Sequence, residues 1–493
     1  MRPIEILLLL ANLLTFFVLA VPRVRAVHWT GSVVLIALLL AIAQALIEGP
    51  RWQMVPAYAL AGLFFLIWLL ENFALGGGIA GHRWINQLAV GLAALGLAIS
   101  AVLPVIFPVF RFPRPTGPYE IGTLTYHWVD AARPEVFTDN LDDRRELMVQ
   151  LWYPAKADPS SPRAPYIPDA EAVAPALARF LHLPEFALGH VKYIATNAIP
   201  SAPAADGERS YPVLIFLEGL GGYRQQNTFQ VEELVSHGYI VAAIDQPYAA
   251  SMVVFPDGRQ AAYDTRMEPP HRQAGYDPST APAHSAFAYA HIPYLTQNAV
   301  FTLDQLTALN QADPNGILTG RLDLQRAGLF GHSLGGIVGG EACLQEPRLR
   351  ACLLEDAYMP ADVVRAGLRQ PAMWITRDAD TMRLERQRSG GWPEAAIDEH
   401  LTTMRAVYEG LPGDGYYVQV PGTFHVDMTD APLLTPLETW FGLGGPIGVQ
   451  RAHDIINAYS LAFFDRHLKD RQVALLDGPA EEFPDVLFET RRH

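Results

Sequence analysis

Apolar residues are unevenly spread along this chain. Four stretches of about membrane-spanning length occupy residues 4–21, 29–47, 52–70 and 88–110. Charges fall almost entirely between or beside them: Arg2 and Glu5, Arg23 and Arg25, Glu48 and Arg51, Glu71 and Arg83, Arg111 and Arg114. Trp29, Trp52 and Trp84 sit near the ends, where aromatic belts form. One such stretch could be a secretory signal. Four in a row, with no small-residue cleavage site after the first, predict an all-α transmembrane bundle over residues 1–115. Pro104 and Pro108 predict a kink or an early end in the fourth span.

The pattern changes after a Pro- and Arg-rich linker at 111–118. Residues 119–129 and 145–153 read as strands. In the second, Leu147, Val149 and Leu151 alternate with Met148, Gln150 and Trp152. Residues 154–211 are irregular and Pro-rich, with one helical piece near 172–180. Short apolar runs then follow at 213–217, 240–244, 327–330, 352–354, 372–376 and 416–420. Helical patterns separate several of them, at 229–236, 293–310 and 394–408. Strands alternating with helices predict a mostly parallel sheet covered on both faces, an α/β domain over residues 116–493. The long polar segment 246–290 reads as a lid or mobile cover.

Charge divides at the same boundary. Residues 1–115 hold seven Arg and three acids, whereas the whole chain carries −15. The second part is therefore strongly acidic. That disfavours nucleic acid and anionic lipid surfaces and tolerates neutral or zwitterionic substrates. Four spans place both ends of the bundle on one side, with Arg2, Arg51, Arg111 and Arg114. Arg23, Arg25 and Arg83 lie on the other, and four against three sets no orientation. Cys343 and Cys352 read as small buried residues and report no redox compartment.

The candidate chemistry centres on Gly331-His332-Ser333-Leu334-Gly335. An apolar run leads in and a small-residue helix leads out, the strand–turn–helix context of a nucleophile elbow. A serine hydroxyl is a poor nucleophile at neutral pH. It needs a base within hydrogen-bond reach, and the base needs an orienting acid. The base is His425, on a loop after the late strand and the Pro421-Gly422 turn, where ligands meet an open α/β sheet. His332 should point away from the chemistry, and His400 and His453 read as surface residues on helices. Two acids fit the order Ser, acid, His. Asp356 follows the strand at 352–354, and Asp378 or Asp380 follows the next. Spacing alone slightly favours the later pair. The oxyanion donors are the N–H groups of Leu334 and of Leu220, within Glu218-Gly219-Leu220-Gly221-Gly222.

From about residue 119 onward the chain resembles the platelet-activating factor acetylhydrolases of the plasma and intracellular type II kind, within the α/β-hydrolase superfamily. The resemblance is carried by Arg145-Glu146-Leu147 through Leu151-Trp152-Tyr153-Pro154, Tyr166-Ile167-Pro168, Gly219-Leu220-Gly221 and Ser236-His237-Gly238-Tyr239-Ile240-Val241-Ala242-Ala243. Gly331–Gly336, Asp356-Ala357-Tyr358-Met359-Pro360 and Gly422-Thr423-Phe424-His425 complete it. The four apolar stretches lie outside it. The resemblance implies an α/β-hydrolase fold and moves the acid to Asp356. It also implies an esterase needing no metal or cofactor, acting on the sn-2 acetyl or short acyl group of a phospholipid. Two departures stand out. Glu218 replaces the histidine that usually precedes the oxyanion glycine, and Gln246-Pro247-Tyr248 differs after Asp245.

The expectation is therefore an integral membrane protein whose serine esterase domain meets a lipid or small-ester substrate. The alternatives are a general carboxylesterase with the same three residues, acting on soluble or polymeric esters, and a non-catalytic membrane sensor built on a hydrolase fold.

Overall fold

The computed structural model describes every residue except 22–29, 74–82, 157, 159, 269–285, 391 and 493. The chain forms two compact units. One comprises Met1–Phe110 with Phe186–Tyr193 and Leu434–Leu437, and the other holds the remainder. Residues 111–118 belong to the second unit, and two short later segments join the first. Arg23, Arg25 and Trp29 lie outside the described residues.

Among its described residues the first unit contains four helices long and apolar enough to cross a membrane, at Pro3–Ala20, Gly31–Glu48, Trp52–Asn72 and Gln87–Ile106. The first three pack through Leu8, Met54 and the small residues Ala41, Ala57 and Ala61, which allow close approach. Leu7, Leu10, Leu39 and Leu92 point outward. The fourth helix ends at Ile106, two residues past Pro104, so the early end is observed. Charge gathers where the helices start and stop. Arg51 donates through Nε and Nη2 to the two oxygens of Glu5, each at 2.7 Å, with both side chains fully buried. Arg2 Nε adds a bond to Glu5 at 2.9 Å, and Arg51 Nη1 reaches the carbonyl of Phe107 at 2.7 Å. A buried ion pair is tolerated only when its remaining donors are also used. These bonds join the first helix to the segments flanking the third and fourth.

The second unit is built on a ten-stranded sheet. Its strands are β1 (Glu120–Pro134), β2 (Arg144–Ala155), β3 (Ala198–Pro200), β4 (Tyr211–Leu217), β5 (Ile240–Asp245), β8 (Leu322–His332), β9 (Leu349–Glu355), β10 (Ala372–Thr376), β11 (Gly415–Gln419) and β12 (Leu487–Arg491). A separate hairpin pairs β6 (Met252–Val254) with β7 (Gln260–Ala262). The sheet order is β12-β11-β10-β9-β8-β4-β5-β2-β1-β3. The run from β11 to β5 is parallel throughout. The central strands are continuous apolar runs because helices cover both faces. In β2 the alternation sorts residues between two cores rather than between core and solvent. Leu147, Val149 and Leu151 enter one cluster, and Trp152 enters the other. Strand β12 was not anticipated. It pairs antiparallel with β11 at the sheet edge and buries only Phe488.

Two expectations need correction here. The segment 246–290 is not one open loop. It holds the β6–β7 hairpin, a 3-10 turn at Thr265–Met267 and the start of helix Ala286–Gln311, and residues 269–285 lie outside the description. Cys343 and Cys352 are buried, as expected, but they form a disulfide. The bridge joins the helix that follows Ser333 to β9, so these cysteines do carry redox information.

Candidate active site

Ser333 sits between β8 and helix Leu334–Gln345 at φ 57°, ψ −119°, a conformation that costs energy outside glycine. Its neighbours make the turn possible. A Cβ on Gly331 would lie 2.4 Å from the carbonyl oxygen of Gly335, and one on Gly335 would lie 2.0 Å from that of Leu217. No other residue fits at either position without moving backbone. The Ser333 N–H bonds the carbonyl of Glu355 at 2.9 Å, which ties the turn to the end of β9.

His425 opens a 3-10 turn beyond β11. Its Nε2 lies 2.9 Å from Ser333 Oγ, and its Nδ1 bonds Asp356 Oδ2. Asp356 follows β9 directly and also takes a positive φ, 44°. The later carboxylates are elsewhere. Asp378 caps helix Ala379–Ser389 by accepting from the Thr381 N–H at 2.9 Å. The Asp380 side chain is 92% exposed and pairs with Arg383. Of the three acids, the structure brings Asp356 to the histidine.

Asp356 is buried, which by itself opposes ionisation. The Arg377 guanidinium and His400 outweigh that and hold its carboxyl well below the usual range. Arg377 Nε lies 2.7 Å from Oδ2. Oδ1 accepts from His400 Nε2 at 3.0 Å and from Thr376 Oγ1 at 3.2 Å. His400 thus corrects an expectation. It is 1% exposed and faces the acid, not solvent. Helix Glu394–Glu409 turns it inward with Ala396, Ile397, Met404 and Val407. His453 is buried as well, stacked on Phe229 with ring centroids 3.6 Å apart and bonded to the carbonyl of Thr429. Imidazole on an apolar helix face was the available signal for both.

His332 also departs from expectation. Gln226 Nε2 bonds its Nδ1 at 3.0 Å, so Nε2 carries the proton and donates to the carbonyl of His425 at 3.0 Å. Burial, with His425 beside it, pushes His332 well below its ordinary value, so it stays neutral. Gln226 Oε1 in turn accepts from the Gly219 N–H at 3.2 Å. One series of bonds therefore links the Gly219 turn, Gln226, His332 and the His425 loop.

In that turn the N–H groups of Gly221 and Gly222 are committed to the carbonyls of Ala249 and Gly219. With Gly219 held by Gln226, Leu220 is the donor left over. Leu334 is the first residue of its helix, where an N–H has no intrahelical acceptor. Leu220 and Leu334 are the two residues expected to donate to an oxyanion. Glu218 points away from the turn, and its Oε1 accepts from the Gln246 N–H at 2.6 Å. Burial, with Asp245 nearby, pushes its carboxyl well above the usual range and so favours the neutral form. The neutral form brings no negative charge to an oxyanion. Gln246 Oε1 accepts from Asn298, which accepts from Arg145. The two family departures, at Glu218 and Gln246, are thus partners in one buried network. Among the described residues no group of three or more His, Cys, Asp or Glu could hold a metal ion.

A strained serine, a histidine and an ionised carboxylate in hydrogen-bonded series, beside two free backbone donors, can perform acyl transfer. Residues 105–266 match the family model for platelet-activating factor acetylhydrolase, isoform II. The chain is 25% identical over 403 residues to a platelet-activating factor acetylhydrolase of Gallus gallus, covering 75% of this chain and 87% of the relative. It is 23% identical to a probable 1-alkyl-2-acetylglycerophosphocholine esterase of Arthroderma benhamiae, covering 82% of this chain and all of the relative. Among solved structures, a ferulic acid esterase from Streptomyces cinnamoneus matches with a TM-score of 0.60 and 28% identity, over 77% of this chain and 99% of that one. These matches bear out the resemblance read from the motifs, the α/β-hydrolase fold and ester hydrolysis as the reaction class.

Proposed function

We propose that this chain, an ester hydrolase resembling the platelet-activating factor acetylhydrolases, is a membrane-tethered serine esterase that removes short acyl groups from phospholipids of the platelet-activating factor kind. What supports the reading is the bonded series Ser333–His425–Asp356, which spans strand ends from three parts of the sheet. Residues 1–115 act as the tether and 116–493 as the catalytic domain.

Ser333 Oγ attacks the ester carbonyl while His425 Nε2 takes its proton. The carbonyl oxygen gains a negative charge, accepted by the N–H groups of Leu220 and Leu334. Asp356 holds the imidazole tautomer and stabilises its charged form. The C–O bond then breaks. The lyso-lipid alcohol leaves with the proton from His425, and the acyl group stays on Ser333. Water, deprotonated by His425, attacks the acyl-enzyme and releases the short acid. None of these steps calls on a metal or cofactor.

The four apolar helices hold the domain at a lipid surface, where an amphiphilic ester is concentrated. The Cys343–Cys352 disulfide supports a location in an oxidising compartment, outside the inner or plasma membrane. The Arg count, four on one side of the bundle and three on the other, neither supports nor opposes this side.

A second reading, a carboxylesterase on soluble or polymeric esters, is favoured by the likeness to a ferulic acid esterase. One panel separates the two. Purified full-length protein is given sn-2 acetyl, butyryl and palmitoyl phosphatidylcholines and a feruloyl ester, with Ser333→Ala as control. The expected order is acetyl above butyryl, with little palmitoyl release. Preference for the feruloyl ester would favour the second reading, and full turnover by Ser333→Ala would sink both.

A further inference from the structure

Three hydrogen-bond donors and the Arg377 guanidinium surround Asp356, and only His425 takes part in the proton transfer proposed above. The others make an unusual setting for a carboxylate of this kind. Oδ2 faces His425 Nδ1 and Arg377 Nε. Oδ1 faces His400 Nε2 and Thr376 Oγ1. Oδ1 accepts two hydrogen bonds, Oδ2 accepts one and shares an ion pair, and the side chains of Arg377 and Asp356 are fully buried. Arg377 continues to Glu385, and Glu385 Oε1 accepts from the backbone N–H of His425 at 3.1 Å. The guanidinium therefore grips the acid on one side and, through Glu385, the loop of the base on the other. The Trp392 ring lies across the group, 5.3 Å from the His400 ring, 5.5 Å from the His425 ring and 5.7 Å from the guanidinium carbon.

This sharing of the charge has a chemical consequence. A carboxylate steadies an imidazolium by its negative charge, so each donor or cation that shares the charge weakens that support. We propose that Arg377 and His400 are positioning residues that fix both oxygens of Asp356 and share its charge, leaving His425 less basic than a bare aspartate would. The neutral, proton-accepting form of His425 then persists to lower pH. This inference rests on Ser333, Asp356 and His425 being the catalytic set.

The charged and titratable groups around this pair come from every element packed against it. His425 faces Asp356, His332, Arg377, His400 and Glu385, with Asp427 in its own turn. Asp356 also faces Tyr417 of β11. Burial keeps His332 and His400 neutral, despite Asp356 beside them. Asp427 needs a control, because burial pushes its carboxyl up to about 6.

The test is the pH dependence of kcat/KM on a short nitrophenyl ester, using the full chain. Arg377→Gln is expected to move the acid limb upward by about one pH unit, the size of effect an adjacent cation exerts. His400→Leu should move it upward by less, with KM little changed. His400→Gln, which keeps a donor for Oδ1, should return it to the wild-type position. Asp427→Asn should leave the limb in place. A limb that stays put in active Arg377→Gln and His400→Leu overturns the proposal. If circular dichroism finds Arg377→Gln unfolded, the two His400 variants decide it, and equal limbs for leucine and glutamine overturn it. Turnover by Ser333→Ala would instead mark failure of the catalytic reading beneath it.

Discussion

The imidazole of His332 donates through Nε2 to the backbone carbonyl of His425, 3.0 Å away. The residue before the nucleophile thus holds the loop of the base, and Gln226 extends the hold to the oxyanion turn. His332→Leu should lower kcat on a short nitrophenyl ester by about 10- to 100-fold, the cost of a misplaced reacting group. Gln226→Leu should act in the same direction. The double variant should cost less than the product of the two, because both break one series of bonds. A double variant whose losses simply multiply would refute the linkage.

Asp356→Asn should cost about 10³- to 10⁴-fold in kcat, since an amide cannot hold the required imidazole tautomer. Asp378→Asn and Asp380→Asn should stay within a few-fold of wild type. A helix cap and an exposed partner of Arg383 are all they alter. Steady-state kinetics on the three proteins check this directly. A dead Asp378→Asn beside an active Asp356→Asn would reverse the assignment.

Glu218→Gln should leave kcat/KM within about three-fold of wild type at pH 7, because burial favours the neutral form of the residue replaced. Its amide oxygen can still accept from the Gln246 N–H. Glu218→Lys should abolish folding or activity by placing an unpaired cation in that network. A large loss in Glu218→Gln would mean the carboxylate acts in its charged form.

Glu355 lies one residue before the acid, fully buried and bonded to Gln230. Burial pushes its carboxyl from 4.5 up to about 8. The folded chain therefore holds a proton that the unfolded chain has lost. That contribution to stability is complete below about pH 4.5 and is lost as pH rises toward 8. Denaturation midpoints measured from pH 5 to 8.5 should fall less steeply in Glu355→Gln than in wild type. Parallel slopes would show that Glu355 titrates normally.

Reduction of the Cys343–Cys352 disulfide, or the Cys343→Ser/Cys352→Ser pair, should cost about 2–3 kcal/mol of stability by the loop-entropy estimate for a short ring. Urea titration with and without reductant measures it. A thiol-trapping experiment on protein from intact cells tests the compartment. Two free thiols in the native protein would place the domain on the reducing side.

The sheet was legible wherever a strand is a continuous apolar run. Ala372–Thr376 was read with the observed limits, and Ile240–Asp245 with one residue missing. β12 escaped because an edge strand with a single buried residue carries no apolar run. Ser333 and His425 could be read from turn chemistry and chain order. Choosing the acid took the family resemblance, since spacing alone leaned toward Asp378 or Asp380. The surroundings were not legible. His400 approaches Asp356 across 44 residues and Gln226 approaches His332 across 106, and no local pattern encodes such distances. The disulfide was missed because two buried cysteines nine apart look the same whether or not they face each other.

That disulfide also changes what a cut in the chain would do. The turn between Gln345 and Leu349 exposes Gln345, Pro347 and Arg348, the kind of tip a protease finds first. Without the bridge, a nick there would divide the chain between the arm bearing Ser333 and the arms bearing Asp356 and His425. With Cys343 and Cys352 joined, the fragments stay tethered across the break. A nicked enzyme in a protease-rich space would keep its nucleophile and acid on one covalent body, and only a reductant would then part them.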